Sequence, residues 1–226
     1  MITSPLDCCA LQFDNDLVSE WCEINEMEVN IQKCNTITFS RQRSPICFDY
    51  RIASTTISRV TVIKDLGILL DTKLRFSEHI AATVAKAFSM LGFIRRNTQS
   101  FDDVYCQKTV HCSIVRSILE YAMPIWAPYQ SVHIRRIESV QKCFIRYALR
   151  LLPWSDPTHL PPYEDPCRLI HLPTLVSRRN TLRQLLVFDI VSNNMDCAEL
   201  LGKINFNAPR RQSRRVEFLR LPTACV

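Results

Sequence analysis

The stretch from Lys64 to Asn97 reads KDLGILLDTKLRFSEHIAATVAKAFSMLGFIRRN, and its hydrophobic pattern changes partway along. Its first part contains a short apolar run, Leu66 to Leu70, which Asp65 and Asp71 bound, and this run indicates a buried strand. After Phe76 apolar residues recur every three or four positions, and this spacing predicts a helix with one buried face. The residues on that face are Ile80, Val84, Ala87, Leu91 and Ile94. The chain therefore changes from strands to helices near residue 76.

The residues before this stretch predict one helix followed by a small antiparallel sheet. Near the N-terminus, apolar residues recur at helical spacing and acidic residues fall on another face, so we expect an amphipathic helix with an acidic solvent side. Its apolar residues are Phe13, Leu17, Trp21 and Ile24. From Ile46 to Ile52 apolar and polar residues alternate, which is typical of a strand. Residues 36–39 and 56–63 are rich in β-branched side chains and also predict strands.

Three more helices are expected further along the chain. One begins at Asp102 and ends near Pro124, and another runs from about Val132 to Leu152. The segment from Pro153 to Pro166 holds five prolines and predicts an extended connector. The last helix has Thr174 as its N-cap. It should bury Leu182, Leu185, Leu186 and Ile190. The predicted fold class is α+β: a small antiparallel sheet with one helix, followed by an all-helical region.

The composition is that of an ordinary globular protein, since 47% of the 226 residues are hydrophobic and 22% are charged. This composition excludes disordered, collagen-like and low-complexity classes. The net charge of +6 is unevenly distributed. Residues 1–32 contain seven Asp and Glu and no Lys or Arg, so the rest of the chain carries a net charge of +13. A surplus of this size fits binding to a polyanion, and it also fits mere solubility.

The 11 cysteines include no C-x2-C pair, so neither a zinc ribbon nor a redox dithiol is indicated. The first residues lack the basic start of a signal peptide, and no stretch approaches the ~20 apolar residues of a membrane span. We therefore expect an intracellular protein, in the nucleus or the cytoplasm, with reduced cysteines and no membrane contact.

The predicted helix from Val132 to Leu152 carries the most informative charge pattern. Its spacing places four cations along one side, where they could track the phosphates of a nucleic acid. These cations are Arg135, Lys142, Arg146 and Arg150. On this pattern alone, a solvated charged face is an equally good interpretation. Further positive helix surface is expected at Arg95, Arg96, Arg178, Arg179 and Arg183.

The residues alone indicate no active site. Two carboxylates among the seven N-terminal acids could hold Mg2+, but acids spaced along an amphipathic helix are more often solvated. The five histidines are scattered, without a Ser or Cys partner at an informative spacing. The chain also lacks a Gly-rich phosphate loop and a nucleophile elbow. We therefore predict no metal site.

Nine short strings, distributed over nearly the whole chain, are informative in combination. They are Leu11-Gln12, Trp21-Cys22, Asn30-x-x-Lys33-Cys34, Lys64 to Asp71, Leu91-Gly92-Phe93-Ile94-x-Arg96, Val115 to Tyr121, Ile125-Trp126-x-Pro128-Tyr129, Ile137-Glu138-x-Val140-Gln141 and Ile204 to Asn207. Their order and spacing resemble the region after the catalytic aspartates in reverse transcriptases of non-LTR retrotransposons, especially jockey-like elements. No single string decides this assignment.

The resemblance implies roles for particular residues. Lys33 would lie near the incoming triphosphate and act as a general acid toward the leaving pyrophosphate, and the alternative is an ordinary surface lysine. A primer-grip-like hairpin would contain Lys64, Asp65, Leu66 and Gly67. In that hairpin Gly67 would permit a close approach that a Cβ would block. The helices after residue 76 would form the thumb, and their four aligned cations are our candidate contact with an RNA/DNA template-primer duplex.

The resemblance also divides the chain into three parts. Residues 1–75 would be a partial palm with the primer-grip-like hairpin, and residues 76–200 would be the helical thumb with its connector. Residues 201–226 would be a basic tail. The tail contains Arg210, Arg211, Arg214, Arg215 and Arg220 against the single acid Glu217.

One departure from the family bears directly on function. The Tyr/Phe-Ala-Asp-Asp motif does not occur in the 226 residues, and the resemblance places it upstream of Met1. We therefore expect this chain to bind no cofactor and not to polymerise DNA alone, because Mg2+ chemistry in an intact enzyme needs those aspartates. The favoured hypothesis is a truncated RNA-directed DNA polymerase fragment of a retrotransposon. The alternatives are a stand-alone basic helical module that binds nucleic acid, or a non-functional remnant.

Overall fold

In the part of the chain that the structure describes, the strands all precede residue 72 and helices dominate after residue 76. The computed structural model of the protein describes residue 2, residues 4–152 and residues 161–204. The helices are α1 (Pro5–Ile24), α2 (Ser77–Asn97), α3 (Val104–Val110), α4 (Ser117–Glu120), α5 (Met123–Trp126), α6 (Ser131–Ala148), α7 (Glu164–Leu169), α8 (Leu175–Val191) and α9 (Ala198–Leu201). The strands are β1 (Asn35–Thr36), β2 (Arg51–Ile52), β3 (Thr55–Thr56), β4 (Ser58–Arg59), β5 (Val62–Asp65) and β6 (Ile68–Asp71). The predicted α+β class is confirmed.

The strands form three two-stranded ladders instead of one sheet. β2 pairs with β3 and β5 pairs with β6 in antiparallel fashion, whereas β1 and β4 are parallel. The predicted strand from Ile46 to Ile52 is shorter than expected, since only Arg51 and Ile52 form a strand, and side chains bond backbone groups in this segment. Arg59 donates to the Phe48 carbonyl at 2.6 Å. Gln12 of α1 pairs with both backbone groups of Arg51, accepting at 2.8 Å and donating at 3.0 Å.

A carboxylate at the end of β6 fixes the start of α2. Asp71 accepts hydrogen bonds from the backbone N–H groups of Lys73, Arg75 and Phe76 at 2.8 to 2.9 Å. Phe76 has φ of 57° and precedes the first helical residue, Ser77. The change from strand to helix near residue 76 is therefore confirmed, and Asp71 holds the turn that leads into α2.

The core lies among the helices that follow. The five residues predicted for the inner face of α2 are all buried, together with Val115, Leu119, Trp126, Ile137 and Phe144 from the helices around it. Two contacts show that α2 and α6 run parallel. Ser77 Oγ lies 3.3 Å from His133 Nε2 near the start of both helices, and Thr98 Oγ1 lies 3.0 Å from the Tyr147 hydroxyl near their ends.

Helix α1 is present and its acidic residues are exposed as predicted, but its apolar stripe is exposed as well. It starts with a capping box in which Ser4 and Asp7 exchange side-chain and backbone hydrogen bonds at 2.8 and 3.3 Å. The apolar stripe Phe13, Leu17, Trp21 and Ile24 is 47 to 73% exposed. The side of α1 that packs on β2 is a different one from the acidic and the apolar sides, and it contains Gln12.

The later helices differ in detail from the expectations. The helix predicted from Asp102 to Pro124 spans α3, a π-helical segment (His111–Arg116) and α4, and it ends where Ala122 adopts φ of 49°. Thr174 does cap α8, but Leu185 is 50% exposed, so its predicted burial is wrong. The extended connector was predicted to continue to Pro166, and this end is wrong because Pro166 belongs to α7. Residues 153–160 and most of the basic tail, 205–226, lie outside the described residues.

No helix in the described ranges combines the length and the hydrophobicity that crossing a membrane requires.

Candidate nucleic-acid interface

The residues of the predicted primer-grip-like hairpin lie together at the tip of the β5–β6 ladder. Lys64 pairs with Leu69 and Asp65 pairs with Ile68, which leaves a two-residue turn of Leu66 and Gly67. Both turn residues have positive φ, 44° and 87°. Positive φ at both central residues defines the type I′ turn, which matches the twist of a hairpin. The tip is prominent, since Leu66 is 82% exposed.

The backbone conformation by itself favours glycine at position 67. A Cβ added at Gly67 would lie 3.5 Å from Tyr121 Cε1, which is an ordinary contact distance. The close approach expected from the sequence concerns a bound primer, and it stays a prediction. The backbone conformation makes glycine the suitable residue, because φ of 87° is one that side chains rarely adopt.

The helical region holds this turn in place. The Tyr121 hydroxyl donates to the Leu66 carbonyl at 2.8 Å, and Trp126 Nε1 donates to the Tyr121 carbonyl at 2.8 Å. On the other strand, the Leu69 N–H donates to His79 Nδ1 at 3.3 Å. Burial lowers the pKa of His79, which favours the neutral ring that can accept this bond. The hairpin and the helices after residue 76 are thus directly connected.

Removing the Tyr121 hydroxyl should loosen the hairpin tip. We expect Tyr121→Phe to lower the free energy of unfolding by about 1 kcal/mol, the typical contribution of one neutral hydrogen bond. Amide hydrogen exchange at residues 64–69 should become faster while exchange in α6 stays the same. Tyr105→Phe, at an exposed tyrosine, is the matched control. Unchanged exchange at the tip of Tyr121→Phe would show that this bond does not hold the turn.

A cleft of about 500 Å³ lies between the hairpin, α2 and α4. Its lining includes Lys64 at the hairpin, Lys86 on α2, and Ser117 and Tyr121 on the opposite side. None of the described residues that line it is acidic, so two ammonium groups set its charge. Lys33 is not among the residues that line it. Lys33 ends a 3₁₀ turn just before β1 and is exposed, so its predicted role as a general acid remains a prediction.

Three of the four predicted duplex-binding cations share one exposed face of α6. Arg135, Lys142 and Arg146 are spaced by seven and four residues, which places them within about 16 Å along the axis. Lys142 Nζ lies 5.1 Å from the centre of the Tyr163 ring. This cation–π contact keeps the ammonium group near the cleft that both residues line together with Arg146.

The fourth predicted cation, Arg150, has a different environment. It lies in a 3₁₀ turn after α6, and its guanidinium donates to the carbonyls of Thr98 and Gln99 at 2.9 and 3.1 Å. It also donates to the Tyr147 hydroxyl at 2.9 Å and stacks on that ring, 4.5 Å from the centre. The guanidinium thus satisfies carbonyls at the end of α2, where the helix dipole favours a cation.

The prediction of positive surface on α8 is also wrong for two arginines. Arg178 forms a bidentate ion pair with Glu120, with both N–O distances at 2.8 Å, and this carboxylate raises its pKa. Arg179 is only 4% exposed. Burial lowers its pKa, and the charge of nearby Glu138 acts in the opposite direction. Both arginines therefore interact within the helical region instead of adding to its positive surface.

A buried polar network explains the acid in the middle of α6. Glu138 is 7% exposed and accepts from the Tyr163 hydroxyl at 2.6 Å and from the Leu175 N–H at 3.1 Å. Gln141 donates to Tyr163 and to the Pro173 carbonyl, both at 3.0 Å. Burial and the Glu138 carboxylate raise the pKa of Tyr163. The only acid in α6 is therefore turned inward, which leaves the outer face cationic.

No three His, Cys, Asp or Glu side chains come together as a metal site within the described residues.

Three curated proteins of Drosophila melanogaster are similar to part of this chain. "RNA-directed DNA polymerase from mobile element jockey" is 29% identical over 136 residues, which cover 58% of this chain and 14% of the relative. "Probable RNA-directed DNA polymerase from transposon BS" is 25% identical over 148 residues, or 62% and 16% of the two chains. "Probable RNA-directed DNA polymerase from transposon X-element" is 28% identical over 130 residues, or 54% and 14%.

The chain contains a reverse-transcriptase-like region. This finding confirms the predicted resemblance over rather more than half of the chain. The matched part spans only 14 to 16% of the length of these relatives. No protein-family model matches the chain, and no solved structure matches it significantly.

The structure gives physical roles to residues for which the sequence suggested none. Tyr121 and Glu138 both belong to strings that carry the likeness to reverse transcriptases, and both form hydrogen bonds between distant parts of the chain. One signal for Glu138 was present in the sequence. Glu138, Gln141 and Ile145 are spaced by three and four residues, so the acid lies on the same helix face as residues that are buried.

Proposed function

We propose that the protein holds a nucleic-acid duplex of the template-primer type through the outer face of α6 and the β5–β6 hairpin. The observation that carries this proposal is the inward direction of Glu138. Because Glu138 is engaged with Tyr163 and Leu175, the face of α6 with Arg135, Lys142 and Arg146 has no carboxylate of its own helix. Exposed cations without a counter-ion on their own helix are suited to phosphate contacts.

The parallel arrangement of α2 and α6 supports the same proposal. The contact between Ser77 and His133 joins the N-terminal ends of these helices, and α2 begins directly after the hairpin. The hairpin and the start of the cationic face are therefore connected through the first turn of α2. One duplex could then contact Lys64 or Lys86 at the hairpin cleft and the α6 cations further along.

In this proposal the chain contributes the surface of a reverse transcriptase that holds the duplex, and it does not contribute the residues that catalyse polymerisation. Residues 1–75 would correspond to part of the palm and residues 76–200 to the thumb. The 226 residues contain no Ala-Asp-Asp sequence. Polymerase activity would then depend on metal-binding aspartates that are not among these residues.

The proposal predicts that a triple substitution on α6 weakens duplex binding. We expect Arg135→Gln, Lys142→Gln and Arg146→Gln together to reduce affinity for a labelled RNA/DNA hybrid on the order of 100-fold at 0.1 M salt, because each lost phosphate contact retains its counter-ions. Fluorescence anisotropy measures this affinity, and circular dichroism checks that each variant is folded.

The control removes three other exposed cations: Arg41→Gln, Arg43→Gln and Lys203→Gln. It changes the net charge equally, so we expect a loss of less than about fivefold from the general field of the protein. Equal losses in both triple variants would show that binding follows net charge and not the α6 face. No measurable affinity of the unsubstituted chain for hybrid or duplex would contradict the proposal outright.

A further inference from the structure

A small cleft of about 290 Å³ lies between the C-terminal end of α2 and the facing side of α6. The residues that line it are Gly92, Arg95 and Arg96 of α2, Gln99 just after α2, and Tyr147 of α6. It shares no lining residue with the clefts at the hairpin and beside the Tyr163 ring. None of the described residues that line it is acidic. The cleft is therefore cationic and polar.

Tyr147 is held in place at one side of this cleft. Its hydroxyl donates to the Thr98 carbonyl at 3.0 Å, and the Arg150 guanidinium stacks on its ring, 4.5 Å from the centre. The guanidinium carbon of Arg95 lies 5.6 Å from the centre of the same ring. Two guanidinium groups therefore lie within about 10 Å of each other. This distance is about the Debye length at 0.1 M salt, so salt screens their repulsion only in part.

No carboxylate neutralises the two arginines of α2 within the part of the chain that the structure describes. The three ion pairs there involve Arg116, Arg168 and Arg178. The guanidinium groups of Arg95 and Arg96 form no hydrogen bond with another described residue, and both side chains are exposed. The N–H donors of a guanidinium form a planar fork that matches a phosphate group. Both forks are therefore available to an anion.

Gly92 leaves open space beside these arginines. Glycine is unfavourable in a helix interior, and the backbone does not require it here, because Gly92 lacks a positive φ. A Cβ at this position would meet a single atom within 4 Å outside its neighbours, Nη1 of Arg96 at 3.5 Å. Close packing does not require glycine either. The missing side chain instead leaves room for a ligand beside Arg96.

We propose that this cleft binds a phosphate group, with the guanidinium groups of Arg95 and Arg96 as its ligands. Phosphate fits because its several oxygens can accept from two planar forks at once and its negative charge offsets the repulsion between them. The phosphate can come from a nucleic-acid backbone or from a free oligophosphate, which present the same chemistry. The inference is independent of duplex binding by α6, since Arg135, Lys142 and Arg146 do not line this cleft.

Titration of the full chain with inorganic tripolyphosphate tests the site. NMR follows the signals of the arginine Nε–Hε groups, and the Arg95 and Arg96 signals are those missing from the Arg95→Gln and Arg96→Gln variants. We expect both signals to shift saturably as tripolyphosphate is added. The signals of Arg41 and Arg43, which are exposed and lie outside the cleft, are the control. These control signals should not saturate over the same range.

Gly92→Leu tests the shape of the cleft without changing its charge. Leucine is a good helix former, and its side chain would fill the space beside Arg96. The dissociation constant for tripolyphosphate should then rise about tenfold or more, the effect of losing one hydrogen bond between charged groups. Ala85→Leu, at an exposed position of α2 outside the cleft, is the matched control and should leave the constant unchanged. Circular dichroism checks that both variants are folded.

Two results would overturn the proposal. One is the absence of a saturable shift at Arg95 and Arg96 in the unsubstituted chain. The other is a dissociation constant that is the same for folded Gly92→Leu and for the unsubstituted chain.

The affinity of Gly92→Leu for an RNA/DNA hybrid identifies the source of the phosphate. If the cleft holds a backbone phosphate, the variant should bind the hybrid about threefold or more weakly, because one phosphate contact is lost. If the cleft holds a free oligophosphate, hybrid affinity should stay unchanged while tripolyphosphate binding is lost. Each of these two results supports the site and names its ligand.

Discussion

Glu138→Ala should lower the free energy of unfolding by about 2 to 4 kcal/mol, because hydrogen bonds to a buried charged group contribute about 1.5 to 3 kcal/mol each. The carboxylate is 7% exposed and accepts hydrogen bonds from Tyr163 and from the first N–H of α8 at Leu175. Its removal would leave those donors without an acceptor. It would also leave the Arg179 guanidinium, 4% exposed, without the negative charge that favours its protonated form. Urea unfolding followed by circular dichroism measures the effect.

Two further variants separate the charge from the general loss of a side chain. Glu164→Ala changes an exposed acid in α7, and we expect it to shift stability by no more than about 0.5 kcal/mol. Glu138→Gln combined with Arg179→Met removes both charges, so it should cost less than Glu138→Ala alone. A loss below 1 kcal/mol for Glu138→Ala would show that the network does not connect α6 to α8 as described.

Acidification from pH 7 to pH 5 should cost about 2 kcal/mol of stability through His111. The imidazole is fully buried in the π-helical segment and stacks on Phe144, with ring centres 4.0 Å apart. Burial, and to a smaller extent the charge of Arg116, lower the pKa of His111 from 6.5 to about 3. The unfolded chain therefore takes up a proton that the folded chain excludes. This stabilisation is complete above pH 6.5 and is lost as the pH falls from 6.5 toward 3.

Comparing two histidine variants isolates this contribution from other titrating groups. His111→Leu should flatten the dependence of unfolding free energy on pH between 7 and 5 by about 2 kcal/mol relative to the unsubstituted chain. His171→Asn, at an exposed residue with φ of 51°, should leave the dependence unchanged, because Asn tolerates that conformation. Parallel pH profiles for His111→Leu and the unsubstituted chain would mean that His111 does not remain neutral in the fold.

Features that depend only on residues close together in the sequence could be predicted from it. The inner face of α2 follows from its spacing of apolar residues, and the cap at Thr174 follows from the hydrogen bond between its hydroxyl and the Ser177 N–H. The packing of α1 instead involves a partner 39 residues away. Gln12 pairs with the backbone of Arg51 on the side of α1 that contains buried Cys8, and the apolar stripe is exposed.

For the candidate interface, too, the local pattern could be predicted and the long-range contact could not. The spacing of Arg135, Lys142 and Arg146 on one helix is a local property, and the structure exposes all three. Arg150 follows the same spacing, but its guanidinium binds the carbonyls of Thr98 and Gln99, just after the end of α2. Spacing cannot distinguish a cation that is free to bind a partner from one that binds the end of a neighbouring helix, because the sequence pattern is the same for both.

The salt dependence of duplex binding tests the central claim most directly. For an RNA/DNA hybrid, the logarithm of the association constant should fall linearly with the logarithm of salt concentration, as it does when phosphate contacts release counter-ions. Removing Arg135, Lys142 and Arg146 should reduce the magnitude of that slope by about 2.7, or about 0.9 for each contact. The control lacking Arg41, Arg43 and Lys203 should keep the original slope. Equal slopes for the α6 variant and the unsubstituted protein, or binding that does not depend on salt, would contradict the claim.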